Sequence, residues 1–124
     1  MYDCVFPTRT ARFGSALVET GSLNLRSKEF ANDMNPIDKA CSCSTCKLHT
    51  RAYLHAINKE TVACHLVTVH NIAYQMRLMK SIQQSIMKDT FPSFIQQFMS
   101  NMFPSNNYPT WVVEALDSVN VKLL

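Results

Sequence analysis

Three cysteines within six residues constrain the fold of this chain more than any other feature. Cys41, Cys43 and Cys46 form the sequence C-S-C-S-T-C, while Cys4 and Cys64 stand apart from it. The odd total of five cysteines, the crowded spacing and the lack of a secretory signature argue against a framework of disulfides. Closely spaced thiolates on a loop wrap a tetrahedral Zn²⁺ without strain. The cluster therefore predicts a zinc site in a reducing compartment.

A tetrahedral site needs a fourth ligand, and two arguments favour two different histidines. His49 completes a C-x-x-H step directly after the third cysteine. His70 lies one helical turn beyond Leu66, at the edge of the predicted buried face of a long helix, where it would fix that helix to the cysteine loop. On spacing alone, His49 and His70 both remain open. Four protein ligands leave no position for substrate, so the predicted site serves folding. The weaker candidates for the fourth ligand are His55, His65 and Cys64.

Composition sets wide limits on function. The chain has 124 residues, which suits one domain, and its 47% hydrophobic and 17% charged residues are ordinary for a globular protein. A net charge of +3 excludes nucleic-acid binding through a blanket of basic charge, but it allows a few well-placed arginines to contact phosphate or a base edge. No apolar run is long enough to span a membrane.

The periodicity of apolar residues predicts a β-rich start followed by helices. The predicted elements are a strand over residues 4–6 ending at Pro7, a hairpin about Thr20-Gly21, a metal loop over 31–46, and helices over 49–58, 61–88, from 91 onward and over 110–119. The helix over 61–88 starts at Thr61, a plausible N-cap. Its predicted buried face consists of Val62, Leu66, Val69, Ala73, Met76, Ile82 and Ile86.

An acid near the start of the sequence suggests chemistry. Asp3 precedes the strand-like C-V-F, and P-T-R-T-A-R then reads as a loop that carries Arg9 and Arg12. A carboxylate beside such a strand can attack an electrophilic carbon while arginines hold an anionic substrate. Without further context, an Asp here is more often a solvated cap or an ion-pair partner.

These signals combine in a resemblance that covers essentially the whole chain. D-C-V-F-P-T-R-T-A-R-F-G, then C-x-C-x-x-C, then H-T-R-A-Y-L-H and V-H-N-I-A-Y-Q resemble, in this order, the C-terminal part of tRNA-guanine transglycosylases, and the queuine-inserting eukaryotic branch above all. The motifs are long, ordered and specific. The resemblance implies an α/β protein, the C-terminal portion of a (β/α)8 barrel with a zinc-binding subdomain.

The resemblance also implies a role for each motif. Asp3 is the nucleophile that attacks C1′ of the ribose at anticodon position 34, displaces guanine and forms a covalent RNA–enzyme intermediate, which queuine then resolves. The wobble-base region is recognised by Thr8, Arg9, Thr10, Ala11 and Arg12. The Zn²⁺ ligands are Cys41, Cys43, Cys46 and the histidine of V-H-N-I-A-Y, which is His70.

The implied organisation is a last barrel strand, wobble-recognition loop and hairpin in 1–30, a zinc-binding subdomain in 31–75 and C-terminal helices in 76–124. The implied partners are the tRNAs for Asp, Asn, His and Tyr, with queuine or guanine and a homologous non-catalytic subunit that completes a heterodimer. The implied location is the cytoplasm, with peripheral attachment to the mitochondrial outer membrane as a variant.

The resemblance covers the last third of such an enzyme, so its general base and base-binding residues fall outside the match. We therefore expect the isolated chain to be inactive and poorly soluble. The alternative from another functional class is a non-catalytic, zinc-stabilised module that binds RNA or docks a subunit. Asp3 together with an intact P-T-R-T-A-R favours the enzyme over this alternative.

Overall fold

The computed structural model describes residues 1–124, most of which are helical. The elements in chain order are α1 (Val5–Arg12), β1 (Ser15–Val18), β2 (Gly21–Asn24), a 3-10 turn (Lys28–Phe30), α2 (Ser44–Leu48), α3 (Arg51–Ala56), α4 (Thr61–Met87), α5 (Phe91–Met102) and α6 (Thr110–Asp117). The chain divides into two compact units, Met1–Leu78 and Met79–Leu124. None of the helices combines the length and the apolar character that crossing a membrane requires.

The predicted strand over residues 4–6 and the predicted loop after it are both wrong. Residues Val5–Arg12 form α1, and Cys4 is its N-cap. A strand at this position would need a parallel neighbour, and the only sheet here is the two-stranded β1–β2. A helix instead pairs the backbone groups within the segment itself. Pro7 is tolerated because it lies in the first turn, where the N–H groups have no helical partner.

The predicted hairpin is confirmed. β1 and β2 pair antiparallel, with Ala16 opposite Leu23 and Val18 opposite Gly21. Gly21 closes the turn with φ +119°, a backbone conformation that L side chains rarely adopt. β1 is buried along most of its length, and β2 alternates between half-buried and exposed residues. The inner side of the hairpin therefore belongs to the core of the first unit.

The core of the first unit joins α1, the hairpin, the metal loop and the first half of α4. Its buried residues include Ala11, Ala16, Val18, Leu25, Phe30, Ile37, Leu54 and Val67. Ile37 comes from the metal loop, and its side chain is fully buried. The loop is therefore part of the core.

The buried face of α4 differs from the predicted one. The buried residues of its first half are Ala63, Val67, His70 and Asn71. Among the residues predicted to face inward, these are exposed: Val62, Val69, Met76 and Ile86. Apolar residues occur around the whole circumference of α4, so periodicity alone does not identify its inner face. The inner face of α4 instead carries two buried, hydrogen-bonded polar residues, His70 and Asn71.

Asn71 connects three elements of the first unit. Its Oδ1 accepts a hydrogen bond from the Leu17 N–H at 2.9 Å. Its Nδ2 donates to the carbonyls of Pro7 at 3.1 Å and Ser15 at 3.0 Å. The residue is fully buried. One side chain from α4 therefore pairs backbone groups of α1 and β1 that would otherwise be buried without a partner.

The second unit contains the end of α4, then α5 and α6. The predicted helices from Phe91 and Thr110 are confirmed, and α5 begins with Pro92 in its first turn. Asp89, with φ +55°, ends α4. Met99 and Val121 are its buried apolar residues. Of the methionine and aromatic residues of α5, only Met99 is buried, and the phenylalanines are half-buried.

We expect Asn71→Ala to destabilise the first unit by about 3 kcal/mol, because it removes three hydrogen bonds and leaves buried backbone groups unpaired. Chemical denaturation followed by circular dichroism would measure the loss. Gln84→Ala, at an exposed amide on the same helix, is the matched control and should change the free energy of unfolding by less than about 0.5 kcal/mol. An equal effect of both substitutions would contradict the role assigned to Asn71.

Candidate metal centre and the Asp3 segment

Four potential metal ligands lie together at the junction of the metal loop with α4. The Sγ atoms of Cys41, Cys43 and Cys46 and a ring nitrogen of His70 all lie within 4.8 Å of one another. The Nδ1 of His70 is 3.3 Å from Cys46 Sγ and 3.7 Å from Cys43 Sγ. Three of the four residues are buried, and Cys43 is half-buried.

The backbone of the cysteine loop places the thiols by turning tightly around them. Cys43 is the N-cap of α2, and its sulfur accepts the Cys46 N–H at 3.4 Å. The Cys43 N–H in turn points at Cys41 Sγ, 3.5 Å away. Thr45, which is fully buried, donates its hydroxyl to the Leu66 carbonyl at 2.6 Å and so attaches this turn to α4. Amide groups directed at sulfur stabilise thiolate charge.

The other ring nitrogen of His70 defines its tautomer. His70 Nε2 lies 2.8 Å from the Leu17 carbonyl oxygen of β1. A carbonyl only accepts hydrogen bonds, so Nε2 carries the proton and Nδ1 presents its lone pair to the cysteines. A backbone carbonyl that orients a histidine in this way is the usual outer shell of a metal ligand.

Burial makes these ligands unsuited to carrying charge on their own. Desolvation raises the pKa of the Cys46 thiol to about 12 and raises that of Cys41. Desolvation also lowers the pKa of His70, so its imidazole is neutral. Buried thiolates therefore require a cation to compensate them. The donor set of three sulfurs and one neutral nitrogen is the set that Zn²⁺ prefers in a closed structural site.

The geometry also fits that ion. With a Zn–S distance of about 2.3 Å, the ligand atoms of a tetrahedral site lie about 3.5–3.8 Å apart. The distances from Cys43 and Cys46 to Nδ1 are close to this range. The site could therefore close around a zinc-sized ion with small movements of the side chains.

Two ion pairs hold the segments that lead into the cysteine loop. Arg51 pairs with Asp33 at 3.1 Å and also donates to the carbonyls of Pro36 and Ile37. Asp38 accepts the Ala40 N–H at 2.9 Å, and Arg77 of α4 lies 3.7 Å from its other carboxylate oxygen. These partners and Thr45 were not identified from the sequence, because only the folded loop shows which carbonyls they reach.

His49, the other candidate for the fourth ligand, lies outside the cluster. Its ring stacks on Tyr53 with the centroids 4.9 Å apart. Thr50 caps α3 and turns the chain between the two aromatic residues. The alternative C-x-x-H arrangement is therefore not formed.

The predicted RNA-binding segment is a helix with its charges at opposite ends. Asp3 is exposed just before α1, and its Oδ1 accepts the Val5 N–H at 3.2 Å. Arg9 and Arg12 occupy the last turn and are exposed. Of the remaining predicted residues, Thr8 and Thr10 are half-buried and Ala11 is in the core.

Fold and site together define a domain in which three cysteines of a loop and one histidine of a long helix form a cluster that could hold a metal ion, and in which an acid and two arginines lie near the start of the sequence. Comparison with known proteins identifies its family. The family profile described as queuine tRNA-ribosyltransferase matches residues 1–104. The chain therefore belongs to the queuine tRNA-ribosyltransferase family, as the motifs predicted.

Individual relatives agree with this assignment. The chain is 47% identical over all of its length to the queuine tRNA-ribosyltransferase catalytic subunit of Schizosaccharomyces pombe, and 45% identical over 99% to that of Caenorhabditis elegans. It is 42% identical over 82% to the queuine tRNA-ribosyltransferase of Pasteurella multocida. The chain spans about a third of the length of these relatives: 33%, 35% and 27%.

We expect the purified chain to contain one Zn²⁺, measured by mass spectrometry of metals, and to lose it in Cys46→Ser. The variant should unfold far below the melting temperature of the parent, because ligand binding in such sites contributes folding free energy directly. Cys64→Ser removes a thiol outside the cluster and is the matched control. Zinc retained at full occupancy in Cys46→Ser would contradict the assignment of ligands.

We also expect zinc to be released on acidification. The metal-free thiols of Cys41 and Cys46 are protonated, since burial raises the pKa of both, that of Cys46 to about 12, so binding must displace protons. Lower pH therefore weakens binding, by up to about a hundredfold per pH unit if these two thiols each release one proton. A chelator competition series between pH 8 and pH 5 would measure this slope. An affinity independent of pH would contradict thiolate ligation.

Proposed function

We propose that this chain supplies the nucleophile, the wobble-base contacts and the zinc-binding subdomain of a tRNA-guanine transglycosylase. The reaction exchanges guanine for queuine at position 34 of tRNAs with a GUN anticodon. One observation carries the proposal: the family match over residues 1–104 includes the whole D-C-V-F-P-T-R-T-A-R segment, in which Asp3 lies just before α1 and both arginines lie in its last turn.

In the proposed reaction, a carboxylate oxygen of Asp3 forms a bond to C1′ of the ribose. Guanine leaves with the electrons of the glycosidic bond and takes up a proton. In the second step, a ring nitrogen of queuine attacks C1′, its proton is removed, and the carboxylate is released. A carboxylate suits this exchange because it is both a competent nucleophile and a leaving group at a glycosidic carbon.

The geometry of Asp3 is compatible with that role. One carboxylate oxygen, Oδ1, accepts the Val5 N–H at the start of α1. The second oxygen, Oδ2, accepts no hydrogen bond from the chain and is available for attack. The hydrogen bond from the Val5 N–H orients the carboxylate through Oδ1 and leaves Oδ2 free.

The side chains of Arg9 and Arg12 are the proposed RNA contacts. Both are exposed, and a guanidinium suits phosphate and base edges because it donates several hydrogen bonds in a fixed plane. Thr8 donates its hydroxyl back to the Cys4 carbonyl at 2.8 Å, and Ala11 is buried in the core. Within the predicted segment, Thr8 and Ala11 therefore support the helix that carries the arginines.

The rest of the proposal concerns the complete enzyme. We propose that the chain completes a (β/α)8 barrel and that its zinc is structural, held by Cys41, Cys43, Cys46 and His70. The proposed substrates are the Asp, Asn, His and Tyr tRNAs with queuine or guanine. The proposed partner is a homologous non-catalytic subunit, in the cytoplasm or at the mitochondrial outer membrane.

The second candidate is a non-catalytic module that binds RNA or docks a subunit. It is favoured by the position of Asp3, which is solvent-exposed and is not among the residues that line the cavity beside α1. A nucleophile needs a surrounding site that positions ribose and excludes water. This chain by itself is therefore more suited to holding RNA than to completing the exchange.

A chimera distinguishes the two candidates. The chain would replace the matching third of the S. pombe catalytic subunit, to which it is 47% identical. We expect the chimera to incorporate labelled guanine into a GUN tRNA, and Asp3→Ala to reduce incorporation at least about a thousandfold, because the covalent step needs the carboxylate.

Two controls accompany this assay. Glu19→Ala removes an exposed carboxylate elsewhere in the chain and should leave incorporation unchanged. The isolated chain should be inactive while still binding RNA. A folded, zinc-loaded chimera that binds RNA without exchanging guanine would favour the non-catalytic module.

A further inference from the structure

A cavity of about 760 Å³ lies beside the C-terminal half of α1. Thr8 and Arg12 form one wall of it. The other residues come from the connection after β2, from the segment between α3 and α4, and from the start of α4. Those used below are Arg26, Lys59, Glu60 and His65. The cavity lies wholly within the first unit. The sequence did not predict it, because its lining residues come from three separate stretches of the chain.

The charge of the cavity is positive. Arg12, Arg26 and Lys59 are cations, and Glu60 is the one carboxylate, so the formal charge of its lining is +2 with His65 neutral. The two ion pairs of the chain, Arg51–Asp33 and Arg77–Asp38, lie elsewhere. The three cations are therefore not neutralised by pairing, and the cavity favours an anion with about two charges.

Arg26 is held in place within this cavity. Its guanidinium donates to the Arg12 carbonyl at 3.1 Å. Its stem lies over Gly14, where an added Cβ would come within 3.0 Å of Arg26 Cγ. Gly14 has φ +79°, so the backbone turns sharply and leaves room for the stem. A guanidinium held in this way loses less conformational entropy when it binds an anion.

The distance from the proposed nucleophile limits what the anion can be. α1 is eight residues long, so the Arg12 end lies about 12 Å along its axis from the Asp3 end. The ribose that reacts at Asp3 therefore cannot also occupy the cavity. A neighbouring part of the same single strand could reach it.

We propose that this cavity binds two backbone phosphates of single-stranded RNA flanking the reacting nucleotide, through Arg12, Arg26 and Lys59, with His65 and Thr8 beside them. The inference rests on the proposed function and adds a binding subsite to it. Arg12 of α1, Arg26 after β2 and Lys59 before α4 would then contact the same RNA strand. Phosphate contacts of this kind fix the register of the RNA and carry no sequence information.

The test measures binding of an anticodon stem–loop RNA to the full chain over a salt series. Lys59→Gln should weaken binding about tenfold and reduce the slope of log K against log salt by about 0.7, the value for one phosphate of a single strand. Lys80→Gln, at an exposed lysine of α4 outside the cavity, is the matched control and should change neither quantity. Arg26→Gln should resemble Lys59→Gln.

Three results would overturn the proposal. The first is unchanged RNA affinity in Lys59→Gln and Arg26→Gln variants that keep the parental melting temperature, and the second is an equal loss of affinity in Lys80→Gln. The third is binding of guanosine monophosphate that depends on Lys59, in a chain that does not bind the RNA. The guanine-exchange assay of the chimera is independent of this result. If the chimera exchanges guanine while the cavity variants bind RNA normally, the proposed RNA-binding role of the cavity is wrong and the proposed function is supported. If the cavity variants lose RNA affinity while the chimera fails to exchange guanine, the RNA-binding role of the cavity is supported and the catalytic proposal is wrong.

Discussion

The first unit depends on the two-sided bonding of one buried imidazole. His70 directs Nδ1 at the cysteine thiols and Nε2–H at the Leu17 carbonyl, and its neighbour Asn71 pairs with the Leu17 N–H. Two consecutive residues of α4 thus satisfy both backbone groups of one residue in β1. A hairpin of four-residue strands is marginal alone, and this attachment joins it to a helix and to the metal loop.

The same contacts also position α1, the helix that carries Arg9 and Arg12. Asn71 also donates to the Pro7 carbonyl within α1, so the helix that follows Asp3 and carries the arginines is hydrogen-bonded to the residue next to a potential metal ligand. Metal binding and placement of α1 are therefore coupled through α4. A closed site of four protein ligands leaves no position for substrate, so loss of an ion there would act on α1 only through α4.

The sequence predicts features that depend on neighbouring residues, and it does not predict features that depend on contacts between distant segments. The cysteine spacing predicted a metal centre, and the resemblance selected His70 over His49 as its fourth ligand. The structure brings His70 to the cysteine cluster. The strand over residues 4–6 was wrong because β propensity in C-V-F cannot act without a neighbouring strand. The inner face of α4 was wrong because its apolar residues surround the helix and its two buried polar residues carry no hydrophobic signal. The outer partners Thr45, Asp38 and Arg77 depend on carbonyl and carboxylate positions that only the fold creates.

The distribution of charge explains how a mildly basic chain could still bind RNA at a defined place. Its net charge is only +3, which gives little long-range attraction. The cavity nevertheless gathers three unpaired cations from segments that are remote in sequence, and it does so at the end of α1 opposite Asp3. Binding energy would then be concentrated at two phosphates near the Arg12 end of α1, about 12 Å along the helix axis from its Asp3 end. An enzyme that opens a glycosidic bond benefits from this arrangement, because contacts remote from the bond hold the strand in place while guanine leaves and its replacement enters.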